Sequence, residues 1–495
     1  MRLLFVHKSV EWLGIECLSA VLKEAGHITD LAFEIGLDGT FYFPLRQGTK
    51  HNAILKKIRR FNPDLILFSS TTNLFPWVRE VSEAIKKKFS VPILVGGVHP
   101  TIASEKVIAD KNIDMICIGE GEDAIVELVN KMEKKIPVYD TRNIWFKQDS
   151  EVIRNEVRPL IPNLDELPFP DKELFYKYGC FTTRLYVMTS RGCPYDCSYC
   201  YNTLLKKLYN KDKTSYTRRR SVKSVINELE IYKKQFNAKS IYFYDDIFNY
   251  NKQWVIEFAP VYRNRIGLPY YCILRPNLID KELVGALKNS GCQRVAIGFE
   301  SGNETVLNEV LNRKMGIKQL REAVAILKEN RLKVDLYVML GLPGETSKEM
   351  IDTANEVLAL RPDSIFPHIY YPFIGTALMK KAVEMHYIDQ NTLERIYSGE
   401  GNWTAESIIQ HPDKQTAYNI KTILPILNKL PRFAEKYYLE KWILRKHNRV
   451  FLFMLKVIGV FFCSEWESTG RLKEQIKMHI IYFIGATKDL RWYRK

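Results

Sequence analysis

Apolar runs of four to six residues alternate with stretches of helical spacing along the first 145 residues. The runs predict buried strands at residues 3–6, 28–32, 64–69, 91–95 and 114–118. Apolar residues at helical spacing predict helices at residues 17–25 and 77–89. Strands separated by helices indicate a doubly wound parallel sheet, and ligands of such sheets bind beyond the carboxyl ends of the strands.

The same alternation returns in the middle of the chain. Predicted strands there lie at residues 185–190, 240–244, 270–274, 294–299, 334–340 and 364–370. Six strand–helix units predict a partial (β/α)6 barrel, whose working residues stand at the carboxyl ends of its strands. Between the two regions, residues 158–171 contain four prolines and predict an extended linker.

These patterns predict an α/β protein in four parts. We expect a doubly wound domain at residues 1–145, a linker at 146–180, a parallel barrel at 181–390 and a helical C-terminal domain at 391–495. In the last part, residues 420–430 and 437–449 have helical spacing. The next run, 450–463, has fourteen residues with one lysine and is too short to span a bilayer. It predicts either a packed helix or a helix on a membrane surface.

The chain is basic, with a net charge of +16 over 495 residues. Part of the excess lies in residues 432–495, which contain fourteen Lys and Arg but only six Asp and Glu. Another part lies in residues 206–220. Such an excess is consistent with binding to nucleic acid, anionic lipid or an acidic substrate, while a solvated surface is the simplest interpretation of any one run. Nine scattered cysteines do not form a disulfide framework, and the N-terminus resembles a strand more than a signal peptide. We therefore expect a cytoplasmic protein.

Small and polar residues follow three successive strands of the first domain. They are Ser69, Ser70, Thr71, Gly96, Gly97, His99, Gly119, Glu120 and Gly121. Glycine pairs at strand ends let a bulky ligand approach the backbone, whereas one pair alone is most simply a tight turn. Three such loops along one sheet edge predict a ligand-binding rim. His99 is a candidate ligand in it, with packing or hydrogen bonding as the favoured alternative.

The strongest chemical signal is the ten-residue segment RGCPYDCSYC at residues 191–200. Cys193, Cys197 and Cys200 have C-x3-C-x2-C spacing, one thiolate short of the four that ligate a full cubane cluster. An iron without a protein ligand can bind a substrate or cofactor. The alternatives are a zinc site, which normally takes a fourth protein ligand, and three unrelated buried cysteines. The other cysteines of the barrel have no compact ligand spacing and are predicted to be core residues: Cys180, Cys272 and Cys292.

Charged and polar residues also follow successive barrel strands. They are Asp245, Asp246, Arg275, Glu300, Ser301 and Gly341. Each carboxylate alone is as consistent with a structural cap as with a ligand. Their recurrence after the cysteine segment favours a binding site, in which an aspartate pair could hold an ammonium group and Glu300 could accept hydrogen bonds from ribose hydroxyls.

The cysteine segment and these strand ends resemble the radical S-adenosylmethionine (SAM) enzymes. The resemblance implies that Cys193, Cys197 and Cys200 hold a 4Fe–4S cluster, whose open iron binds the amino and carboxylate groups of SAM. It also implies the following positions near SAM: Tyr199 by the adenine, Asp245 and Asp246 by the methionine moiety, and Gly341 in a glycine-rich motif on the adenine side.

The first domain resembles the cobalamin-binding domain that precedes many radical SAM barrels. In ordinary cobalamin domains a D-x-H-x-x-G loop follows the first strand, and its histidine ligates cobalt. Residues 9–14 occupy that place here, with Glu11 at the histidine position and Gly14 retained. The resemblance therefore implies cobalamin bound without a histidine ligand to cobalt, beside SAM and the cluster.

The predicted function is that of a cobalamin-dependent radical SAM enzyme, with the resemblance covering about residues 1–390. It implies methyl transfer to an unactivated carbon through a deoxyadenosyl radical and methylcobalamin, with oxidative cyclisation or rearrangement as the alternative. The intact cysteine triad disfavours a non-catalytic cobalamin-binding module. An RNA methylthiotransferase is disfavoured because its first domain needs three further cluster cysteines, and only Cys17 and Cys117 lie there.

The expected partners follow from the same resemblance and from composition. We expect a small-molecule substrate, and the aromatic content and basic, apolar tail favour a lipid, isoprenoid or pigment precursor. The family chemistry implies an electron donor such as flavodoxin or ferredoxin, and no nucleic acid partner. A further expectation is peripheral contact with the inner face of the membrane.

Overall fold

The computed structural model describes residues 1–34, 51–148, 151–180, 183–209, 214–401 and 408–430. The predicted helix at 437–449, the apolar run at 450–463 and the basic tail lie outside these residues. No helix in the described part combines the length and the hydropathy that crossing a bilayer requires.

A mixed sheet of seven strands forms the first domain. Its strands are β1 (Arg2–Lys8), β2 (Ile28–Glu34), β3 (Leu65–Ser69), β4 (Ile93–Gly96), β5 (Met115–Cys117), β6 (Ile144–Gln148) and β7 (Glu151–Ile153). Their spatial order is β2-β1-β3-β4-β5-β6-β7. The first five are parallel, as predicted, and the β6–β7 hairpin is antiparallel. The predicted boundary at residue 145 cuts β6, because a hairpin has no strand–helix alternation to mark it.

Helices cover both faces of this sheet. They are α1 (Leu13–Glu24), α2 (Asn52–Phe61), α3 (Phe75–Lys86), α4 (Val98–Ile102), α5 (Ser104–Ile108) and α6 (Glu122–Glu133). Alternate residues of β1 point to opposite faces. Leu3 and Phe5 share a core with α1 and α6, and Leu4 and Val6 share the other core with α2, α3 and α5.

The proline-rich linker connects the two sheets with a single short turn at Leu164–Glu166 and the one-turn helix α7 (Glu173–Tyr176). Lys172 anchors it to the first domain. The Lys172 side chain is fully buried and contacts the carboxylates of Glu11 and Glu16, the latter at 2.6 Å. The linker is therefore fixed to the β1–α1 segment by buried charges.

The second domain contains a parallel sheet of six strands, flanked by a short two-stranded ribbon. The strands are β8 (Arg184–Val187), β9 (Ser190–Arg191), β10 (Arg218–Arg219), β11 (Ser240–Phe243), β12 (Tyr270–Leu274), β13 (Cys292–Glu300), β14 (Lys333–Leu340) and β15 (Ser364–Ile369). The order β15-β14-β13-β12-β11-β8 agrees with the six predicted barrel strands. The strand predicted at 185–190 is divided, since Ser190 and Arg191 leave the sheet and pair with Arg219 and Arg218.

The helices of this part are α8 (Asn202–Leu208), α9 (Val222–Gln235), α10 (Lys252–Arg265), α11 (Lys281–Ser290), α12 (Ile317–Glu329), α13 (Ser347–Leu360), α14 (Ala377–Glu384), α15 (Gln390–Tyr397) and α16 (Lys414–Leu427). Buried side chains of α9 to α13 form one core with the strands. A separate aromatic cluster of Tyr242 and Tyr271 lies on the other face of the sheet. The predicted helix at 420–430 is the second half of α16.

Candidate active site

The three cysteines of the triad lie in one loop between β9 and α8. All described cysteines are free of disulfide bonds. Burial raises the pKa of Cys193 to about 11 and that of Cys200 to about 12. Cys197 contributes to both shifts, so the three sulfurs lie within electrostatic reach of one another.

The number of cysteines in the loop bears on the choice between a cluster and a zinc ion. No group of three or more His, Cys, Asp or Glu within the described ranges is arranged to hold a metal ion. Zinc draws its ligands to about 2.3 Å, whereas a cubane cluster keeps its thiolates apart across an inorganic core. The triad provides three thiols, whereas a structural zinc site takes four protein ligands, and a metal-bound thiol is deprotonated despite a raised pKa.

Arg275, at the end of β12, lies against the cysteine loop. Its Nη1 is 3.9 Å from Cys197 Sγ, and its guanidinium carbon is 3.4 Å from the centre of the Tyr195 ring. Nη2 donates to the Arg313 carbonyl at 2.6 Å, and Nε donates to Asn277 Oδ1 at 2.9 Å. The side chain is buried. A firmly held positive charge thus adjoins the triad.

Tyr199, inside the cysteine segment, forms a mostly buried network with Glu300 and Arg313. Its hydroxyl donates to Glu300 Oε1 at 3.1 Å and accepts from Arg313 Nη1 at 3.1 Å. Glu300 has a positive φ of 64° beside a bulge in β13, which turns its carboxylate toward Tyr199. Burial raises the pKa of Glu300, against the opposing charge of Arg313. Sequence reasoning missed Arg313, because it stands in a loop and not at a strand end.

Asp245 anchors the turn that leads into the cysteine loop. Its Oδ1 accepts hydrogen bonds from the Thr189 amide at 3.0 Å and from the Thr189 hydroxyl at 2.9 Å, and also from the Ser190 hydroxyl. Burial raises its pKa. Oδ2 has no hydrogen-bond partner in the described part of the chain. One half of this carboxylate is therefore structural, and the other remains available to a polar group.

Asp246 lies within electrostatic reach of the triad. Its charge acts to raise the pKa values of Cys193 and Cys200. Its own pKa is raised by burial, against a hydrogen bond from Asn202. The two adjacent aspartates thus have different surroundings, which the sequence does not distinguish.

Ser301 and Gly341 serve the packing of their own loops. The Ser301 hydroxyl lies 3.1 Å from Thr353 Oγ1 and accepts from the Asn303 amide at 3.1 Å. Gly341 has a φ of 70°, and a Cβ there would lie 3.4 Å from the Ala417 methyl group of α16. The C-terminal helix therefore covers the loop that the sequence assigned to the adenine side.

The predicted rim of the first domain assembles at the carboxyl ends of β3, β4 and β5, and its glycines allow loops to meet. A Cβ at Gly97, where φ is 100°, would lie 2.8 Å from the Ser70 carbonyl oxygen. A Cβ at Gly119 would overlap the Tyr209 hydroxyl of the second domain. Ser69 Oγ accepts from the Trp12 indole at 2.9 Å. The glycines are required by contacts within the protein, whatever ligand binds above them.

His99 is completely buried beneath this rim. Its Nδ1 lies 3.2 Å from Thr72 Oγ1, and its ring centre is 4.5 Å from that of Phe75. Burial lowers its pKa to about 4, so the ring is neutral at physiological pH. The packing role is the one that the geometry supports. Its Nε2 lacks a hydrogen-bond partner among the described residues, and Thr71, Gly96 and Gly97 of the rim are partly exposed.

Glu11, which replaces the histidine of ordinary cobalamin loops, forms an ion pair with the linker. Its carboxylate is buried and contacts Lys172 of the linker. Burial raises the pKa of Glu11, against the charge of Lys172. The position is thus committed to joining the first domain to the linker.

Four charged residues connect the rim to the cysteine loop. Glu120 pairs with Arg218 at 2.5 Å and with Arg191 at 3.4 Å, and Arg191 also pairs with Glu122 at 2.6 Å. The Tyr209 hydroxyl accepts from the Glu120 amide at 2.8 Å. Burial acts to raise the pKa of Glu120, but Arg218 and Arg191 outweigh it and lower the pKa. The carboxyl edge of the first sheet therefore docks on the loop that carries the triad.

Comparison with known proteins agrees with this division. The B12 binding domain matches residues 5–129, and the Radical SAM superfamily matches residues 187–357. An uncharacterized methyltransferase of Pyrococcus horikoshii is 29% identical over 378 residues, which are 75% of this chain and 78% of that protein. The anaerobic magnesium-protoporphyrin IX monomethyl ester cyclase of Cereibacter sphaeroides is 25% identical over 77% of this chain, which spans 63% of that enzyme.

A solved structure with the same fold is that of the cobalamin-dependent SAM radical enzyme OxsB with aqua-cobalamin bound. Its TM-score is 0.65 at 18% identity, over 98% of this chain and 76% of that one. Two matched domains and a shared fold confirm the resemblance inferred from the cysteine segment and the strand ends. The chain belongs to the cobalamin-binding radical SAM enzymes, with a 4Fe–4S cluster, SAM and cobalamin as its cofactors.

Proposed function

We propose that the enzyme transfers a methyl group from SAM, by way of cobalamin, to an unactivated carbon of a small molecule. The observation that carries the proposal is the docking of the first sheet on the cysteine loop through Arg191, Glu120 and Glu122. This contact brings the edges that would hold two different cofactors to one interface. Similarity to the Pyrococcus methyltransferase supports methyl transfer as the reaction.

Each cofactor has a set of residues suited to it. Cys193, Cys197 and Cys200 would ligate the cluster. The residues proposed to contact SAM are Tyr199, Asp246, Glu300 and the free oxygen of Asp245. The residues proposed to line the cobalamin site are Ser69, Ser70, Thr71, Gly96, Gly97, Gly119, Glu120 and Gly121.

When bound, these cofactors supply a hydrogen-abstracting radical and a transferable methyl group. The protein contributes position and exclusion of water. The Tyr199–Glu300–Arg313 network has little freedom to reorient, because Arg313 is buried, Tyr199 and Glu300 are mostly buried, and all three are linked by hydrogen bonds and charge. The closed interface at Tyr209 and Glu120 would keep bulk water from the region between the two sheets.

The test uses the full chain, reconstituted anaerobically with iron, sulfide and cobalamin, and SAM labelled in its methyl carbon. A small-molecule extract of the source organism supplies the substrate. We expect label in a product, and S-adenosylhomocysteine and deoxyadenosine formed together with it. Deoxyadenosine and product without labelled methyl or S-adenosylhomocysteine would refute methyl transfer.

The second candidate function is oxidative cyclisation or rearrangement, which similarity to the Cereibacter cyclase favours. It uses the same cofactors and leaves the product without the labelled methyl. The experiment above therefore separates the two reactions.

We also propose a substrate class, an electron donor and a location for the enzyme. A lipid, isoprenoid or pigment precursor would suit the aromatic composition, in which Phe, Trp and Tyr make up 12% of the chain. Reduction of the cluster calls for a donor such as flavodoxin or ferredoxin, and nucleic acid is not proposed as a partner. We propose a cytoplasmic location, with peripheral contact to the inner membrane face through the basic C-terminal segment.

A further inference from the structure

The immediate surroundings of Cys197 are unusual for their charge. Arg275 places a guanidinium nitrogen 3.9 Å from Cys197 Sγ, and both side chains are buried, at 4% and 6% exposure. Within the described ranges, Arg275 forms no ion pair with a carboxylate. Its charge reaches the Glu300 carboxylate, whose pKa it acts to lower, and solvent screens it little because buried charges interact through a lower effective dielectric than exposed ones.

Arg275 is held in this position from several directions. Asn249 fixes its backbone by accepting from the Arg275 amide at 2.8 Å and donating to its carbonyl at 3.1 Å. The guanidinium donates to the Arg313 carbonyl and to Asn277, and it covers the Tyr195 ring at 3.4 Å. Stacking of guanidinium on an aromatic face suits arginine and not lysine. The contact with Cys197 is therefore part of a built arrangement.

We infer that Arg275 tunes the reduction potential of the cluster through its positive charge beside the Cys197 sulfur. Each electron that the cluster accepts adds one negative charge to the buried thiolate-bound core. A fixed cation stabilises the more negative, reduced form more than the oxidised form, and so raises the potential. Charge and hydrogen bonds at the sulfurs are among the factors that set the potentials of such clusters. The inference rests on the proposed ligation by the triad.

The test is a redox titration of the reconstituted full chain without SAM, followed by the electron paramagnetic resonance of the reduced cluster. Arg275→Gln should shift the midpoint potential to a more negative value. Arg275→Lys keeps the charge but loses the planar stack, and should give a smaller shift in the same direction. Arg263→Gln, an exposed arginine on α10, is the matched control and should leave the potential unchanged.

Iron content separates this inference from the proposed function. If the unaltered protein assembles no cluster, the ligation proposal itself fails. If the cluster assembles and the potential of Arg275→Gln equals that of the unaltered protein, only the tuning role is refuted. Loss of iron from both Arg275 variants would also overturn it, because the residue would then serve assembly and not potential.

Discussion

The Arg191 guanidinium lies 2.6 Å from the Glu122 carboxylate, across the interface between the two domains. Arg191 stands two residues before the first cysteine of the triad, and Glu122 begins α6 at the carboxyl edge of the first sheet. A carboxylate at a helix N-terminus is stabilised by the helix dipole as well as by its cation. This pair therefore orients the cysteine loop toward the predicted cobalamin rim.

The neighbouring pair of Glu120 and Arg218 should contribute strongly to stability. In Glu120→Gln, the Arg218 side chain, which is 5% exposed, keeps its charge without a counter-ion. Breaking a fully buried pair in this way costs about 3–5 kcal/mol, and because Glu120 is 23% exposed we expect a loss below that range but above that of an exposed pair. The exposed Glu105–Arg154 pair offers the control, because Glu105→Gln should lower the free energy of unfolding by about 1 kcal/mol or less.

The stability difference between the unaltered protein and Glu120→Gln should depend on pH. The folded-state pKa of Glu120 lies below its ordinary value of 4.5, so its contribution is present above pH 4.5 and declines as the pH falls through the folded pKa. Equilibrium denaturation at several pH values should show the unaltered protein and Glu120→Gln converging in acid. If the difference in unfolding free energy between the two proteins stayed constant in acid, Glu120 would not have the lowered pKa described here.

Lys172 should be required to keep two carboxylates buried. In Lys172→Met, Glu11 and Glu16 lose the charge that opposes their desolvation, and both pKa values are already raised by burial. We expect a loss of about 3–5 kcal/mol in the free energy of unfolding. The half-exposed Lys177, paired with Asp30, provides the control, and Lys177→Met should change stability by about 1 kcal/mol or less.

The Lys172→Met variant should also become less stable as the pH rises. Carboxyl groups whose folded pKa exceeds the unfolded value of 4.5 bind protons in the folded state, so stability is lost above that pH. Denaturation at pH 5 and pH 8 checks this. An equal loss at both values would mean that the carboxylates find other partners.

The cysteine triad should be indispensable for iron. The reconstituted protein should hold about four irons, the content of one cubane cluster. Cys197→Ala should lose the cluster together with SAM cleavage, and the triple alanine variant should hold none. Cys180→Ala removes a cysteine outside the triad and should retain full iron. Full iron in the triple variant would place the cluster elsewhere.

Retention of cobalamin at the rim should depend strongly on Gly97. Gly97→Ala introduces a Cβ 2.8 Å from the Ser70 carbonyl oxygen, and the φ of 100° at this position is strained for alanine. The loops that follow β3 and β4 must therefore move apart. We expect weaker retention of cobalamin with unchanged iron content. Gly285→Ala, in α11, is the matched control: apart from the backbone of its own helix, nothing lies within 4 Å of the new Cβ, and the variant should bind cobalamin normally. Equal cobalamin retention in both variants would mean that the ligand lies away from this loop.

Because Glu11 is paired with Lys172, we expect bound cobalamin to have no histidine ligand to its cobalt. With no histidine at that position and His99 buried, the Co(II) form should show no histidine nitrogen coupling in its electron paramagnetic resonance. A coupling that disappears in His99→Ala would instead identify His99 as a ligand.

Local sequence patterns were sufficient to predict most of the strands. A strand of a parallel sheet buries both faces and so appears as an apolar run, and this predicted β1, β3, β11 and β14 within a few residues. The β6–β7 hairpin was missed as part of the sheet, because its alternating, half-exposed residues carry no such signal. The triad was readable for another reason, since ligands of one cluster within a single loop are close in sequence.

The sequence by itself therefore determined the alternation of strands and helices, the cysteine loop and the residues at strand ends. Only the tertiary structure decided what those residues touch. Lys172 meets Glu11 across 161 residues, and Arg275 meets Cys197 across 78. Each contact depends on burial and charge pairing between elements that the chain brings together only on folding, so no local pattern of residues encodes it.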